Sequence, residues 1–321
     1  MPAIGVLCLA EAPAPHTLAE PMSHTTDSPT VFTLGHSPDP DDAFMFYAIA
    51  EGKIDLHGYQ FEHVLQDIQT LNERATRGEL HLSAVSIHAL AYVLNKYALL
   101  PSGASMGNGY GPIVVTKVTT DKATADLPPA GDHDAIRAWL QGRRIAIPGR
   151  MTSAFLALRL YLGKVECDYR VVPFDEIFDA VRRGDAEAGL LIHEGQLTYA
   201  QEGFAPVIDL GVWWKEARGL PLPLGGNVVR KDIDRSVRRE LSDIIAASID
   251  YGLQHRAAAV AHSMPLARGL DVPLADKFIG MYVNDFTRDY GDIGRRAVHT
   301  FLSEASEAGL IPAPVDLEFV E

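Results

Sequence analysis

Short apolar runs alternate with longer segments of helical periodicity from Val31 onwards, and this alternation limits the fold more than any other feature. The strand-length runs are VFTLG (31–35), AVS (84–86), PIVVT (112–116), RIAIPG (144–149), YRVVP (169–173), AGLLI (188–192) and PVIDLG (206–211). At 42–52, 68–79, 88–97, 152–164 and 174–184, apolar residues recur every three or four positions. Such alternation predicts βαβ units and an α/β fold whose sheet is covered on both faces.

Two changes of pattern predict two domains. Residues 121–134 are acidic and contain proline and glycine, which favours an exposed connection. After 219–227 the pattern becomes helical, with helices expected at about 234–255, 273–284 and 295–309. We therefore expect a discontinuous larger lobe (residues 30–116 and 223–321), an inserted smaller lobe (residues 117–222) and a ligand-binding cleft between them.

The charge balance restricts the partner. The 321 residues include 42 acidic and 28 basic side chains, for a formal net charge of −14. Binding to nucleic acid or to an anionic membrane needs a basic face, so the sequence predicts neither as the partner and favours a small molecule. It carries no signal for an oligomeric state.

The cysteines and the first residues bear on location. Cys8 and Cys167 are too few for a disulfide framework, and neither has metal-ligand spacing. The first residues lack the basic segment of an export signal, and no apolar run approaches a membrane span. We expect a cytoplasmic protein with a disordered extension over residues 1–29, for which Met22 is an alternative start.

The glycine-rich segment after residue 102 matches two catalytic patterns poorly. GASMG (103–107) fits the GxSxG nucleophile elbow, but NGYGP follows and cannot begin the required helix. Ser105 is therefore not predicted to be a nucleophile, and a phosphate-binding GxGxxG is rejected for the same reason. The glycines of 103–111 indicate a tight backbone path into the strand at Pro112.

The sequence SPDPDD (37–42) lies between the first strand and the first helix. Prolines shape such a turn, and Asp41 or Asp42 is expected to cap the helix by accepting backbone N–H bonds. The three carboxylates lack EF-hand spacing and a second acidic cluster, so no metal site is predicted. Because the turn follows a strand, Ser37 is expected to border the ligand crevice.

The segment IAIPGRMTSAF (145–155) has the pattern of an anion site. A strand ends at Pro148-Gly149, and Thr152 or Ser153 opens a helix. The free N–H groups and positive dipole end of that helix can hold an anion, whichever of the two residues is the N-cap.

The strand AGLLI delivers an ionisable pair, His193 and Glu194, to the expected crevice. An HExxH zinc motif is excluded because Leu197 stands at the second histidine position. An imidazole there can take or give a proton near neutral pH, while a purely structural edge histidine is the alternative. Glu194 either orients the ring or begins the next helix.

Taken together, these segments resemble the 1,4-dihydroxy-6-naphthoate synthase family, over about Phe32 to Val320. The matching blocks are SPDPDDAFMFYAI, DIQTLNERATRGEL, AVSIHALAYV, GNGYGPIVV, IAIPGRMTSAFLAL, AEAGLLIHEGQLTY, DLGVWWKEARGLPLPLG and YVNDF. The resemblance implies a carbon–carbon lyase of the futalosine route to menaquinone that acts on cyclic dehypoxanthinylfutalosine. It also implies a type II periplasmic-binding-protein-like fold, with two α/β lobes, two crossovers and a central cleft.

The same resemblance implies roles for individual residues. His193 corresponds to the general base, and Asn72 and Thr152 to nearby contributors. The remaining substrate-contacting positions are Ala84, Val85, Ser86, Ser153 and Ala154. A small-molecule carboxylate is the implied substrate, and no cofactor is implied, because the substrate ring already carries acidic positions.

Two departures from the family pattern bear on substrate identity. Asp39 and Asp41 stand where the family commonly has Cys and Asn in SPCPND, and Met151 stands where it often has His in GRHTT. Two alternative functions share the fold: a non-catalytic solute-binding protein for a small organic anion, and chorismate dehydratase. The PGRMTSAF and LLIHEGQ blocks favour the naphthoate synthase.

Overall fold

The computed structural model describes residues 29–118, 127–312 and 315–321. The extension expected over residues 1–29 lies outside this range except for Pro29, and the connection expected over 121–134 is described only from residue 127. Within the described ranges no helix is both long enough and apolar enough to cross a membrane.

Eleven strands occur in the described residues. They are β1 (Thr30–His36), β2 (Tyr59–Leu65), β3 (Leu82–Ser86), β4 (Tyr97–Leu99), β5 (Ser105–Gly107), β6 (Ile113–Lys117), β7 (Arg144–Ile147), β8 (Asp168–Val171), β9 (Ala188–Leu191), β10 (Phe204–Asp209) and β11 (Leu222–Arg230).

The three longest α-helices of the described residues follow residue 230. They are α1 (Pro40–Met45), α2 (Tyr47–Ala50), α3 (Ile68–Arg77), α4 (Ile87–Leu90), α5 (His133–Leu140), α6 (Ser153–Leu162), α7 (Ile177–Arg182), α8 (Gly195–Thr198), α9 (Leu210–Arg218), α10 (Arg235–Gln254), α11 (Arg256–Ser263), α12 (Val272–Tyr282), α13 (Asp285–Arg288) and α14 (Gly291–Glu307). Short 3₁₀ turns at Phe174–Glu176 and Met264–Leu266 complete the helical segments.

The strands form two mixed sheets. The first has the order β2-β1-β3-β11-β4, with β5 also paired to β11, and its β1 runs parallel to β2 and β3. The second has the order β10-β6-β9-β7-β8, and its β7 runs parallel to β8 and β9. Helices accompany both sheets, so the predicted α/β class is confirmed.

The chain passes between the sheets twice. It leaves the first sheet after β5, enters the second with β6, and returns to the first with β11. β6 begins at Ile113, so it crosses the lobe boundary expected after residue 116. The two crossings bring the carboxyl ends of β3 and β7, and the loops that follow them, to the space between the sheets.

Local sequence explains α3 well. The Asp67 carboxylate accepts a hydrogen bond from the Thr70 N–H at 3.1 Å, which satisfies one of the free donors of the first turn. The helix ends at Gly78, whose φ of 72° is left-handed and therefore favours glycine. Leu71, Asn72 and Ala75 form its buried face.

Two secondary-structure predictions were wrong. The helix predicted over 88–97 ends at Leu90, and Tyr97 begins β4, because that strand pairs with β11 and the Tyr97 hydroxyl donates to the Leu80 carbonyl at 2.7 Å. The proline- and glycine-rich run 219–227, which was taken as a break in the pattern, enters the nine-residue strand β11. A register shift between Pro223 and Gly225 accommodates the proline, which has no N–H for the ladder.

Backbone segments approach very closely where the chain enters the second sheet. A β-carbon added at Gly211 would lie 1.9 Å from the Tyr110 carbonyl oxygen, and one added at Gly111 would lie 2.9 Å from the Gly211 α-carbon. The Leu210 N–H also donates to the Pro112 carbonyl at 2.9 Å. Glycine is therefore required at this contact between the start of α9 and the approach to β6.

We expect Gly211→Ala to lower the free energy of unfolding by about 1–3 kcal/mol, the usual cost of forcing an extra methyl group into packed surroundings. Urea denaturation of the unliganded protein measures this change. Gly225→Ala is the matched control, because an added β-carbon there would meet only ordinary contacts at 3.6 and 3.7 Å. Equal stability of the two variants would contradict the packing argument.

Candidate active site

A cavity of about 800 Å³, its open mouth included, lies between the two sheets. Its lining residues come from the acidic turn (residues 37–42), the end of β3, the middle of β11, the start of α6, and α12. Seven of the predicted site residues are among them: Ser37, Ala84, Val85, Ser86, Thr152, Ser153 and Ala154.

The start of α6 presents free amide protons to this cavity. Thr152 is the N-cap, and its hydroxyl accepts from the Phe155 N–H at 3.2 Å and donates to the Gly149 carbonyl at 2.9 Å. The N–H groups of Ser153 and Ala154 precede the first intrahelical bond and have no hydrogen-bond partner among the described residues. Two unsatisfied donors at the positive end of a ten-residue helix therefore belong to residues that line the cavity.

The Ser153 side chain fixes the start of α6 against the first sheet. Its hydroxyl donates to the Leu224 carbonyl at 2.5 Å and accepts from the His88 N–H at 3.1 Å. The hydroxyl is thus already used by the protein. A ligand at this position would meet the Ser153 backbone and not its side chain.

Asn72 lies behind the cavity and positions Ser86. Its side-chain oxygen accepts from the Ser86 N–H at 2.8 Å, and its amide group donates to the Ser86 hydroxyl at 3.0 Å and to the Met151 carbonyl at 3.3 Å. Asn72 is fully buried and is not among the lining residues. It therefore connects the turn after β3 to the segment before α6.

The acidic turn differs from its prediction. The N-cap of α1 is Asp39, and neither Asp41 nor Asp42 caps the helix. The Asp42 carboxylate turns back and accepts from the Ser37 N–H at 2.6 Å, and the Ser37 hydroxyl donates to Asp39 at 2.7 Å. The capping prediction was wrong because these carboxylates bind donors in the turn, while Pro40 supplies no N–H at the first helical position.

Burial dominates the electrostatics of this turn. Burial and the neighbouring carboxylates raise the pKa of Asp41 well above its usual value. Burial likewise raises the pKa of Asp42, and the Ser37 N–H opposes that rise. The pKa values of this turn are therefore set by burial as well as by its sequence.

His193 is buried, with 8% of its surface exposed, and does not line the cavity, although the preceding Ile192 does. Its Nε2 lies 2.8 Å from the Phe174 carbonyl, and its Nδ1 accepts from the Gly195 N–H at 3.1 Å. A carbonyl only accepts, so these partners assign the neutral ring with the proton on Nε2. The Glu194 carboxylate lies 3.6 Å from Nδ1.

Arg268 is the residue of this region that the sequence analysis missed. One guanidinium nitrogen lies 2.5 Å from Asp39 and 3.1 Å from Glu194. A single cation thus joins a carboxylate after β1 of the first sheet to a carboxylate after β9 of the second sheet. The guanidinium also stacks over the Phe174 ring at 4.6 Å. An arginine beside a glycine in a loop gives no signal of such a role, because its partners are more than 70 positions away.

Two lining residues were not predicted as site residues. Asn227 lies on β11, which was not predicted, and its side chain is buried. Tyr282 lies in the YVNDF block, and its hydroxyl donates to the Gln196 side chain at 2.7 Å. Tyr282 and Gln196 thus form a contact between α12 and α8. Among the residues that the structure describes, no three acidic, histidine or cysteine side chains form a metal-binding group.

We expect Arg268→Ala to destabilise the closed arrangement, because it leaves the buried Glu194 carboxylate without its cation. Since Arg268 itself is partly exposed, we expect a loss of about 1–2 kcal/mol and not the full cost of a buried charge. Small-angle X-ray scattering of the unliganded variant should show a larger radius of gyration. Arg288→Ala, which breaks the exposed pair with Asp250, should leave the scattering unchanged; equal curves for both variants would contradict a role for Arg268 in closure.

Solved structures support the fold assignment. A protein of Archaeoglobus fulgidus known from its crystal structure is 40% identical, with a TM-score of 0.78, over 88% of this chain and 98% of that one. The alkanesulfonate-binding protein SsuA of Xanthomonas axonopodis pv. citri aligns with a TM-score of 0.64 at 10% identity, over 90% of this chain and 96% of its own. A Candida albicans protein described as having the generic periplasmic binding protein fold aligns at 0.67 and 14% identity, over 90% of this chain and 92% of its own. The periplasmic-binding-protein-like fold is thereby confirmed.

Sequence comparisons identify the family. The 1,4-dihydroxy-6-naphthoate synthase of Thermus thermophilus is 38% identical over 88% of this chain and 96% of its own. The Streptomyces coelicolor protein of the same name is 36% identical over 87% of this chain and 94% of its own. The family model described as menaquinone biosynthesis matches residues 32–307. The chain therefore belongs to the menaquinone biosynthesis family.

Proposed function

We propose that this protein is a 1,4-dihydroxy-6-naphthoate synthase, a carbon–carbon lyase that converts cyclic dehypoxanthinylfutalosine in menaquinone biosynthesis. The observation that carries the proposal is the similarity, over nearly the full length, to two proteins of that name. The cavity between the sheets is large enough for one small molecule and combines free amide donors with polar side chains. The partner is accordingly a small-molecule carboxylate, and the enzyme works in the cytoplasm.

The substrate carboxylate binds at the start of α6. The Ser153 and Ala154 N–H groups supply two donors that the helix does not use, and the helix dipole favours negative charge there. The turn Ala84 to Ser86, across the cavity, contacts the rest of the substrate, and Asn72 acts indirectly by holding Ser86. Ser37 and Thr152 complete the polar edge of the site.

His193 is the general base. The Phe174 carbonyl holds the proton on Nε2, so the lone pair of Nδ1 is the one that accepts a proton. Glu194, 3.6 Å from Nδ1, stabilises the imidazolium that forms. Because the ring does not line the cavity in this arrangement, His193 must release the Gly195 N–H and turn towards bound substrate. The proposal assigns no cofactor, since the substrate ring carries the acidic positions.

Lobe closure completes the site. We assign residues 30–116 and 223–321 to one lobe and 117–222 to the other, with β6 and β11 at the crossings. Bonds between the lobes, such as those of Ser153 with Leu224 and of Arg268 with Glu194, favour the closed form. Closure brings base and carboxylate site together and excludes water.

We expect Ser153→Pro to weaken substrate affinity more than Ser153→Ala. Both changes remove the hydroxyl, but only proline also removes the N–H, so their difference isolates the amide donor. Proline fits the first position of a helix, and Thr152, with φ −74° and ψ 145°, already has the extended backbone that a residue before proline needs. We expect about a tenfold difference in Kd by calorimetry on the catalytically inactive His193→Asn background. Equal affinities would contradict the carboxylate site.

The wild-type protein incubated with cyclic dehypoxanthinylfutalosine should release 1,4-dihydroxy-6-naphthoate, detected by mass. His193→Asn should bind the substrate yet turn it over at least about a hundredfold more slowly, since it removes the base. Circular dichroism checks that the variant is folded. Tight binding without turnover by the wild type would favour a solute-binding protein, and turnover of chorismate instead would favour chorismate dehydratase. An active His193→Asn variant would reject the base assignment.

A further inference from the structure

Asp41 lines the cavity from the first turn of α1. The residue lies deep in the protein but keeps part of its surface accessible. Because Asp41 is a lining residue, that accessible part faces the cavity. A ligand held between the sheets therefore meets Asp41 as well as the start of α6.

The neighbouring carboxylates are already bound to donors. Asp39 accepts from the Ser37 hydroxyl and pairs with Arg268, Asp42 accepts from the Ser37 N–H, and Glu194 pairs with the same arginine. The Asp41 carboxyl has no cation and no side-chain donor among the described residues. Its own backbone N–H is the group that favours its charged form. Of these four acids, Asp41 is the one whose hydrogen-bonding capacity is left for a ligand.

The surroundings of Asp41 favour its protonated form. Asp39 and Asp42 lie on its own turn, and Glu194 acts on it from the start of α8, so three carboxyl groups oppose a fourth negative charge. Arg268 is committed to Asp39 and Glu194, and the Tyr282 hydroxyl of α12 donates to Gln196. Burial is the largest cause, and together with these carboxyl groups it raises the pKa of Asp41 well above its usual value.

A protonated carboxyl has a different chemistry from a carboxylate. It carries one O–H donor and a carbonyl acceptor, which is the pattern of an asparagine amide. It does not repel an anionic substrate. The negative charge that the sequence adds to this turn is thus largely removed, at Asp39 by Arg268 and at Asp41 by a proton.

We propose that Asp41 is a specificity-determining residue whose carboxyl O–H donates a hydrogen bond to an uncharged oxygen of the substrate, a carbonyl or a hydroxyl. The proposal rests on the proposed function and names the part of the substrate that Asp41 contacts. Because the substrate carboxylate is assigned to Ser153 and Ala154, an uncharged oxygen is left as the partner of Asp41. Asp41 thereby sets the orientation in which the substrate's carboxylate reaches Ser153 and Ala154.

The sign of the pH dependence follows from this role. Below its raised pKa, Asp41 is neutral and donates; as the pH rises through that pKa, the donor is lost and a negative charge replaces it. Substrate affinity should therefore fall at alkaline pH. An asparagine at this position keeps an N–H donor at every pH and does not titrate.

The test compares KM and kcat of the wild type with those of Asp41→Asn and Asp41→Leu from pH 6 to 9.5. We expect the wild-type KM to rise about tenfold towards alkaline pH, and the Asp41→Asn KM to stay within about threefold of its acidic value. Asp41→Leu, which lacks any donor, should have a KM raised about tenfold at every pH. Asp250→Asn removes an exposed carboxyl far from the cavity and should reproduce the wild-type profile.

Infrared difference spectroscopy between pH 6 and 9.5 gives a readout without substrate. The wild type should lose the carbonyl band of protonated carboxyls on raising the pH, and Asp41→Asn should lose a smaller band, because burial raises the pKa of Asp42 to about 7 and that residue is still present in the variant. If both proteins lose the same band, or if the wild type and Asp41→Asn share one KM profile, the assignment of Asp41 is overturned while the proposed function stands. If the wild type produces no dihydroxynaphthoate at any pH, the proposed function fails, and with it the role of Asp41.

Discussion

The closed cavity depends on the contact between the first turn of α6 and the first sheet. Ser153 joins them through two hydrogen bonds of one hydroxyl, to the Leu224 carbonyl and from the His88 N–H. Because the side chain makes this contact, the backbone N–H groups of Ser153 and Ala154 stay free. The bonds that hold the sheets together thus also leave the anion-binding end of the helix facing the cavity.

Charge compensation is the second constraint on the site. The turn after β1 contains three aspartates, and three charged carboxylates beside an anion-binding site would repel the anion. In the structure, an ion pair offsets the charge of one aspartate, and burial affects the other two. Asp39 pairs with Arg268, while burial raises the pKa of Asp41 and of Asp42. Arg268 also reaches Glu194, so the same cation that compensates the turn links it to the segment carrying His193.

Much of the fold followed from periodicity and from the family resemblance, and so did seven of the residues that line the cavity. The turn Ala84–Ser86 and the start of α6 were expected at the site because each follows a strand in an α/β pattern. The elements that were predicted wrongly are those whose local sequence disfavours the structure they adopt. β11 begins with prolines and glycines, and β4 occupies the end of a helical pattern, because both are stabilised by strand pairing with distant residues.

The sequence by itself determined the class of fold, the family, and which helix start offers amide protons, since those properties depend on local periodicity, caps and near-full-length similarity. Only the tertiary structure decided which charges are compensated. Arg268 is separated from Asp39 by 229 positions and from Glu194 by 74, so no local pattern could join them. Burial and neighbouring carboxylates raise the pKa of Asp41, and the Phe174 carbonyl, 19 positions away in the sequence, holds the His193 ring behind the cavity.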